Sequence, residues 1–149
     1  MIIPDGRQSQ RAAAIQRGLC RMLKTLGFVT LCELSLKNNR RVDIIAVGPS
    51  GKIWIAEIKS SIADFRADQK WPEYREYCDY FFFAVASDMP AGILPDDTGL
   101  IIADKYGGEI MREAPEHRIN GARRKALMLR FARVAAQRLH GFTDPGHSL

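Results

Sequence analysis

The chain has 149 residues, of which 46% are hydrophobic and 26% charged, and it carries a net charge of +5. That is the material of one globular domain with a real core. No apolar run is long enough to span a bilayer, and the N-terminus, with Asp5, Arg7 and Arg11, lacks the apolar segment of a signal peptide, so a cytoplasmic protein is expected.

The charge is unevenly spread. Residues 1–41 carry +6, residues 42–117 carry −7 and residues 118–149 carry +6. An acidic centre between two basic flanks suits a polyanion such as DNA held around a cation-binding middle. Cys20, Cys32 and Cys78 are an odd set with no C-x-x-C spacing, which reads as reduced thiols rather than a disulfide or a zinc site.

In chain order, Gln8–Leu26 reads as a helix, with Ile15, Leu19, Met22 and Leu26 forming one apolar stripe. Arg17, Arg21 and Lys24 form a basic stripe beside it, and Gly27 closes the helix. Phe28–Leu36, Arg41–Val47 and Lys52–Lys59 read as three strands of an antiparallel meander. Their connections are Lys37-Asn38-Asn39-Arg40 and Gly48-Pro49-Ser50-Gly51. Ser61-Ile62-Ala63-Asp64 resembles a capping box and opens a helix that Pro72 interrupts, with a second short helix to follow.

Asp79–Ala86 is apolar at both parities and reads as a strand buried on both faces. Gly99–Ala103 and Glu109–Arg112 form a small hairpin. Ala122–Leu139 is the closing helix, with Met128, Phe131, Ala135 and Leu139 facing in, and residues 141–149 are a tail. The order predicts an α/β sandwich, a central mixed sheet flanked by helices, in a single domain over 1–149 with its core at about 8–140.

The chemistry concentrates in the second and third strands. If Gly48 pairs with Lys52, Asp43 stands directly opposite Glu57, and cross-strand neighbours of that kind sit about 4.5–5.5 Å apart at Cβ. Glu57 and Lys59, two apart, share a face. Two close carboxylates do not both stay ionised without a cation. Oxygen ligands of this hardness suit Mg²⁺ or Mn²⁺, with the backbone carbonyl of Ile58 as a further ligand. Such an ion lowers the pKa of a bound water and neutralises charge on a phosphodiester. Lys59 then orients or deprotonates the attacking water, or steadies the transition state. An exposed Glu-x-Lys pair alone means little, but an Asp inside the apolar strand Val42–Val47 calls for a reason, because Asp is depleted in strands.

Asp43…Glu57-Ile58-Lys59 on a strand hairpin, with a helix before and a helix and strand after, resembles the PD-(D/E)XK nuclease superfamily. Val42 stands where that pattern often has proline. More narrowly, Arg41–Val47, Ala56–Ser60, Gln69–Tyr74, Cys78–Val85 and Gly99–Asp104 look like the MmcB-like bacterial DNA-repair family, over residues 8 to 140. The resemblance implies a restriction-endonuclease-like fold, a role in DNA repair and a Mg²⁺- or Mn²⁺-dependent deoxyribonuclease. It leaves open a nuclease-shaped DNA-binding module without turnover of its own, while an incidental acid pair on an interaction domain is the third reading.

Many superfamily members add an acid from the first helix. That helix has none here, which makes Glu33 the candidate further metal ligand. Some branches place a catalytic Gln or Lys on the helix after the Glu-x-Lys strand, which nominates Gln69, with Glu73 four residues on. Lys70, together with Arg17, Arg21, Lys24, Arg123, Arg124 and Lys125, supplies candidate phosphate contacts without sequence readout. Phe65, Trp71, Tyr74, Tyr77 and Tyr80 read mainly as core aromatics, with Trp71 the best placed to stack on an unpaired base. DNA is the expected partner, and a homodimer or a protein of a repair complex is admitted, since small nucleases often need a second subunit to cut both strands.

Overall fold

The computed structural model describes residues 6–146 of the chain; Asp5, His147 and the end of the expected tail lie outside them. The elements are α1 (Gly6–Thr25), β1 (Val29–Ser35), β2 (Arg41–Val47), β3 (Ile53–Ile58), α2 (Ile62–Ala67), a 3₁₀ helix (Trp71–Tyr77), β4 (Tyr80–Val85), a short 3₁₀ turn (Ala91–Ile93), β5 (Gly99–Ala103), β6 (Gly108–Arg112) and α3 (Gly121–Thr143). They build a six-stranded mixed sheet in the sequential order β1-β2-β3-β4-β5-β6, flanked by helices. β1, β2 and β3 form the expected antiparallel meander. β3, β4 and β5 run parallel, and β5–β6 is a hairpin with an irregularity between Leu100 and Ile101. A parallel step needs a crossover, and α2 with the 3₁₀ helix supplies the one from β3 to β4.

Both faces of the sheet are covered, which is why β3 and β4 are almost continuously apolar. On one face Ile15, Leu19 and Leu23 of α1 meet Ile44, Ala46, Ala56, Phe82 and Ile101. On the other face Ile45, Ile55, Phe81 and Phe83 meet Tyr74, Tyr77 and Leu127. The inward stripe of α1 continues through Leu23, and Leu26 is 48% exposed. The helix has already ended there. Gly27 takes φ +86°, its N–H donates to Lys24 O at 2.9 Å, and Phe28 N–H donates to Leu23 O at 2.9 Å. This paired closure needs a left-handed residue and turns the chain into β1. Gly18 lets α1 approach the β5–β6 hairpin, since a Cβ there would lie 1.7 Å from Asp104 O.

α3 departs from its expected inward face. Leu127 is its buried residue, Met128, Phe131 and Val134 are half-buried, and Leu139 is 64% exposed. The helix touches β1 and the 3₁₀ helix, and β1 is an edge strand, so apolar support ends on one side. Arg130 donates to Ser35 O and Arg138 to Cys32 O and Glu33 O, so α3 satisfies carbonyls of that edge. The helix also runs four residues past its expected end at Leu139, into the segment read as a tail. No helix among the described residues is long and apolar enough to cross a membrane. The three cysteines are free thiols, with Cys78 buried.

Candidate active site

The β2–β3 hairpin has the register that sets Asp43 against Glu57. Gly48 N–H donates to Lys52 O at 2.9 Å, and the ladder runs from Val47↔Ile53 to Ile44↔Ala56. One step further, side chains replace the backbone partners. Asp43 N–H donates to Glu57 Oε2 at 2.7 Å, and Ile58 N–H donates to Asp43 Oδ2 at 2.8 Å. Each strand thus gives an amide proton to the carboxylate of the other, which fixes both head groups. No buried side-chain nitrogen or oxygen among the described residues lacks a partner.

A step in the sheet places this pair. On β2, Val42 and Ile45 face the same core, as do Leu31 and Leu34 on β1, so strict alternation fails between them. The pairs Cys32↔Ile44 and Leu34↔Val42 bracket Glu33 and Asp43, and Glu33 has φ +54°. A non-glycine residue in that region costs about 1–2 kcal/mol and is held there by its surroundings. The step takes Asp43 out of the ladder with β1.

Lys59 lies at the end of β3, and its Nζ donates to Asp68 Oδ2 at 2.7 Å. Asp68 Oδ1 in turn accepts the N–H groups of Lys70 (2.8 Å) and Trp71 (3.2 Å). The site is recessed, with Glu57 4% and Lys59 6% exposed. Burial governs the electrostatics. It pushes the Asp43 carboxyl up, against the opposing pull of the Ile58 N–H and the Lys59 ammonium. Burial first, and the Asp43 charge second, push Glu57 up to about 9. Asp68 is pushed up by burial too, but the hydrogen bond from Lys59 and those from the backbone hold it below the ordinary carboxylate range. Tyr74 is buried beside the pair, its hydroxyl donating to Arg41 O at 3.2 Å. Burial and then the charges of Glu57, Asp68 and Asp43 push that hydroxyl up.

The other sequence candidates fall elsewhere. Glu33 stands opposite Asp43 in register, yet its side chain is 64% exposed and its carboxylate lies 3.9 Å from the Arg41 guanidinium. Its left-handed backbone turns it outward. α2 ends at Ala67, so Gln69 sits in a turn and the helix face that was to carry Gln69 and Glu73 does not form. Gln69 Nε2 donates to Arg66 O at 3.1 Å, and Glu73 accepts from Arg40 Nε at 2.8 Å. Lys70 is exposed on the same turn. Arg17, Arg21 and Lys24 are exposed on α1, which covers the opposite face of the sheet from Glu57.

Arg124 is committed to the fold. It makes two bonds of 2.7 Å to Asp79, a fully buried carboxylate that also accepts Ile53 N–H (2.8 Å) and Ile119 N–H (3.2 Å). Arg123 lies over the Tyr77 ring at 4.5 Å and donates to Glu76 O at 3.0 Å, while Lys125 is exposed. Trp71 stacks on Phe81 at 5.7 Å and stays with the core aromatics.

Asp68 and Asp79 are the residues sequence reasoning missed, whereas Tyr74 lies in the core as expected. Asp68 was signalled only by the turn-forming Asp-x-x-Trp-Pro run. Among the described residues no group of three or more His, Cys, Asp and Glu is gathered as a metal cage. Two adjacent carboxylates do match Mg²⁺, which keeps several waters and takes one or two carboxylates along with substrate phosphates.

Comparison with known proteins sets this geometry in context. The family model described as DNA repair protein MmcB-like matches residues 2–146. A solved structure, the SPO1766 protein of unknown function from Silicibacter pomeroyi, is 46% identical with a TM-score of 0.89, covering 94% of this chain and 97% of that one. A comparison with curated proteins finds no match.

Proposed function

The chain belongs to the MmcB-like family of DNA repair proteins, and from that premise we propose that it is a metal-dependent deoxyribonuclease on a restriction-endonuclease-like scaffold of the PD-(D/E)XK kind. The family implies a role in DNA repair, and so contact with DNA. The observation that carries the hydrolytic step is the reciprocal locking of Asp43 and Glu57, which holds two carboxylates side by side on adjacent strands within reach of the Lys59 charge.

Asp43, Glu57 and the carbonyl of Ile58 would hold Mg²⁺ or Mn²⁺. When bound, the ion supplies Lewis-acid activation of a water and charge neutralisation at the phosphate. Lys59 contributes a compact positive charge in a water-poor site, where it stabilises the extra negative charge of a pentavalent phosphorus. Asp68 positions Lys59.

The test is direct. Plasmid, linear duplex and single-stranded DNA are incubated with the protein in Mg²⁺, in Mn²⁺ and in EDTA. Asp43→Ala and Lys59→Ala run alongside. Cutting that needs the metal and falls at least about 100-fold in both variants supports the enzyme. The burial of Glu57 and the Lys59–Asp68 pair favour one second reading, a DNA-binding module of the same shape. Tight binding with no cutting on any substrate is its signature.

A further inference from the structure

A cavity lies between the Leu36–Arg40 turn and the first turns of α3. Its volume is about 760 Å³, with Leu36, Tyr77 and Leu127 as floor and Lys37, Arg123 and Arg130 on the walls. No acidic residue lines it. That size falls within the roughly 300–1,000 Å³ typical of small-ligand sites. An apolar floor under three cations fits a ligand with a flat, uncharged part and an anionic part.

Arg123 makes the fit more specific. Its guanidinium lies over the Tyr77 ring at 4.5 Å and is pinned by its bond to Glu76 O at 3.0 Å. The result is a planar cation held against a tyrosine in the lining of the cavity. A guanidinium so held stacks readily on a nucleobase. The groove also adjoins the carboxylates. Tyr77 in its lining and Tyr74, which feels the charges of Glu57 and Asp43, are three residues apart on one 3₁₀ helix, about 6 Å along its axis.

We propose that this groove receives an unpaired nucleotide of the DNA strand whose backbone passes the Asp43–Glu57 pair, its base stacked on Arg123 and its phosphates facing Lys37 and Arg130. The assignment rests on the nuclease-fold reading for its strand path, but the binding itself needs no cutting. A base on the Arg123 platform has left the duplex stack, so the groove selects single-stranded or splayed DNA over intact duplex.

The experiment measures fluorescence anisotropy in EDTA. The ligands are a labelled thymidine oligonucleotide of about 16 nucleotides and a blunt duplex of similar length. Ala126→Trp fills the groove from an exposed position on α3, and Lys37→Glu reverses one wall charge. Lys105→Glu, on the β5–β6 turn, controls for net charge, and thermal melts confirm that all three variants fold. The expected result is a loss of single-strand affinity of about tenfold in Ala126→Trp and in Lys37→Glu. Duplex affinity and the Lys105→Glu control should stay within about twofold of wild type. Single-strand binding that both groove variants leave unchanged overturns the proposal, as does an equal loss on duplex. If the expected losses occur in a protein that cuts nothing, the groove stands and the hydrolytic reading falls. If the wild type cuts DNA while its affinity is indifferent to both variants, the reverse holds.

Discussion

At the scale of single residues, Glu57 has the most measurable consequence. Its folded-state value, about 9, lies above the ordinary 4.5 of a glutamate because of burial and the neighbouring Asp43. The fold therefore favours the protonated form. That contribution is complete below the unfolded value and is lost as pH rises toward the folded one. Glu57→Gln, neutral at every pH, should match the metal-free wild type near pH 5 and exceed it by at least about 1 kcal/mol near pH 9, in urea titrations at both. Glu33 offers a second test. Its φ of +54° means that Glu33→Gly relieves more strain than it adds in unfolded-chain entropy, and the urea midpoint should rise by about 0.5–1 kcal/mol equivalent. A fall would show that the left-handed position is not strained. Neither effect was legible beforehand. A positive φ at glutamate leaves no trace in residue type, and the burial of Glu57 depends on a crossover that reaches back over it.

Among the elements, the β2–β3 hairpin was the most readable, because its period-2 pattern and its Gly-Pro-Ser-Gly turn together fix the register. α3 was the least readable. Two apolar stripes run along it, one through Leu127, Phe131 and Val134 and one through Met128 and Leu139, and only its placement over an edge strand decides between them. Its arginines illustrate the same limit, because in sequence a buried ion-pair partner looks like a solvated charge. Asp79 and Arg124 are 45 residues apart and join the start of β4 to the start of α3. Arg124→Ala should strand the fully buried Asp79 carboxylate and cost about 3–5 kcal/mol of stability. If Arg124 served DNA instead, the variant would melt near the wild-type temperature and lose affinity. Asp68 escaped notice for a related reason, since an aspartate in a turn carries no periodicity and its hold on Lys59 is a tertiary contact.

For the molecule as a whole, the basic flanks do not act as one cradle. α1 covers one face of the sheet, while α3 lies on the other, with Arg124 and Arg138 engaged in holding the fold together. Cation density near the carboxylates comes instead from Lys59 and from the groove beside the 3₁₀ helix. The order of elements, the mixed sheet and the acid pair could all be read from the chain, whereas the recess that encloses the pair could not. The account rests on Asp43 and Glu57 binding a divalent ion together, and calorimetric titration of the metal-free protein with Mn²⁺ tests that most directly. One ion per chain in the wild type, with binding abolished by Asp43→Asn and unaffected by Glu33→Gln, is the predicted result. A wild type that binds no Mn²⁺, or an Asp43→Asn variant that binds it equally well, would contradict the account.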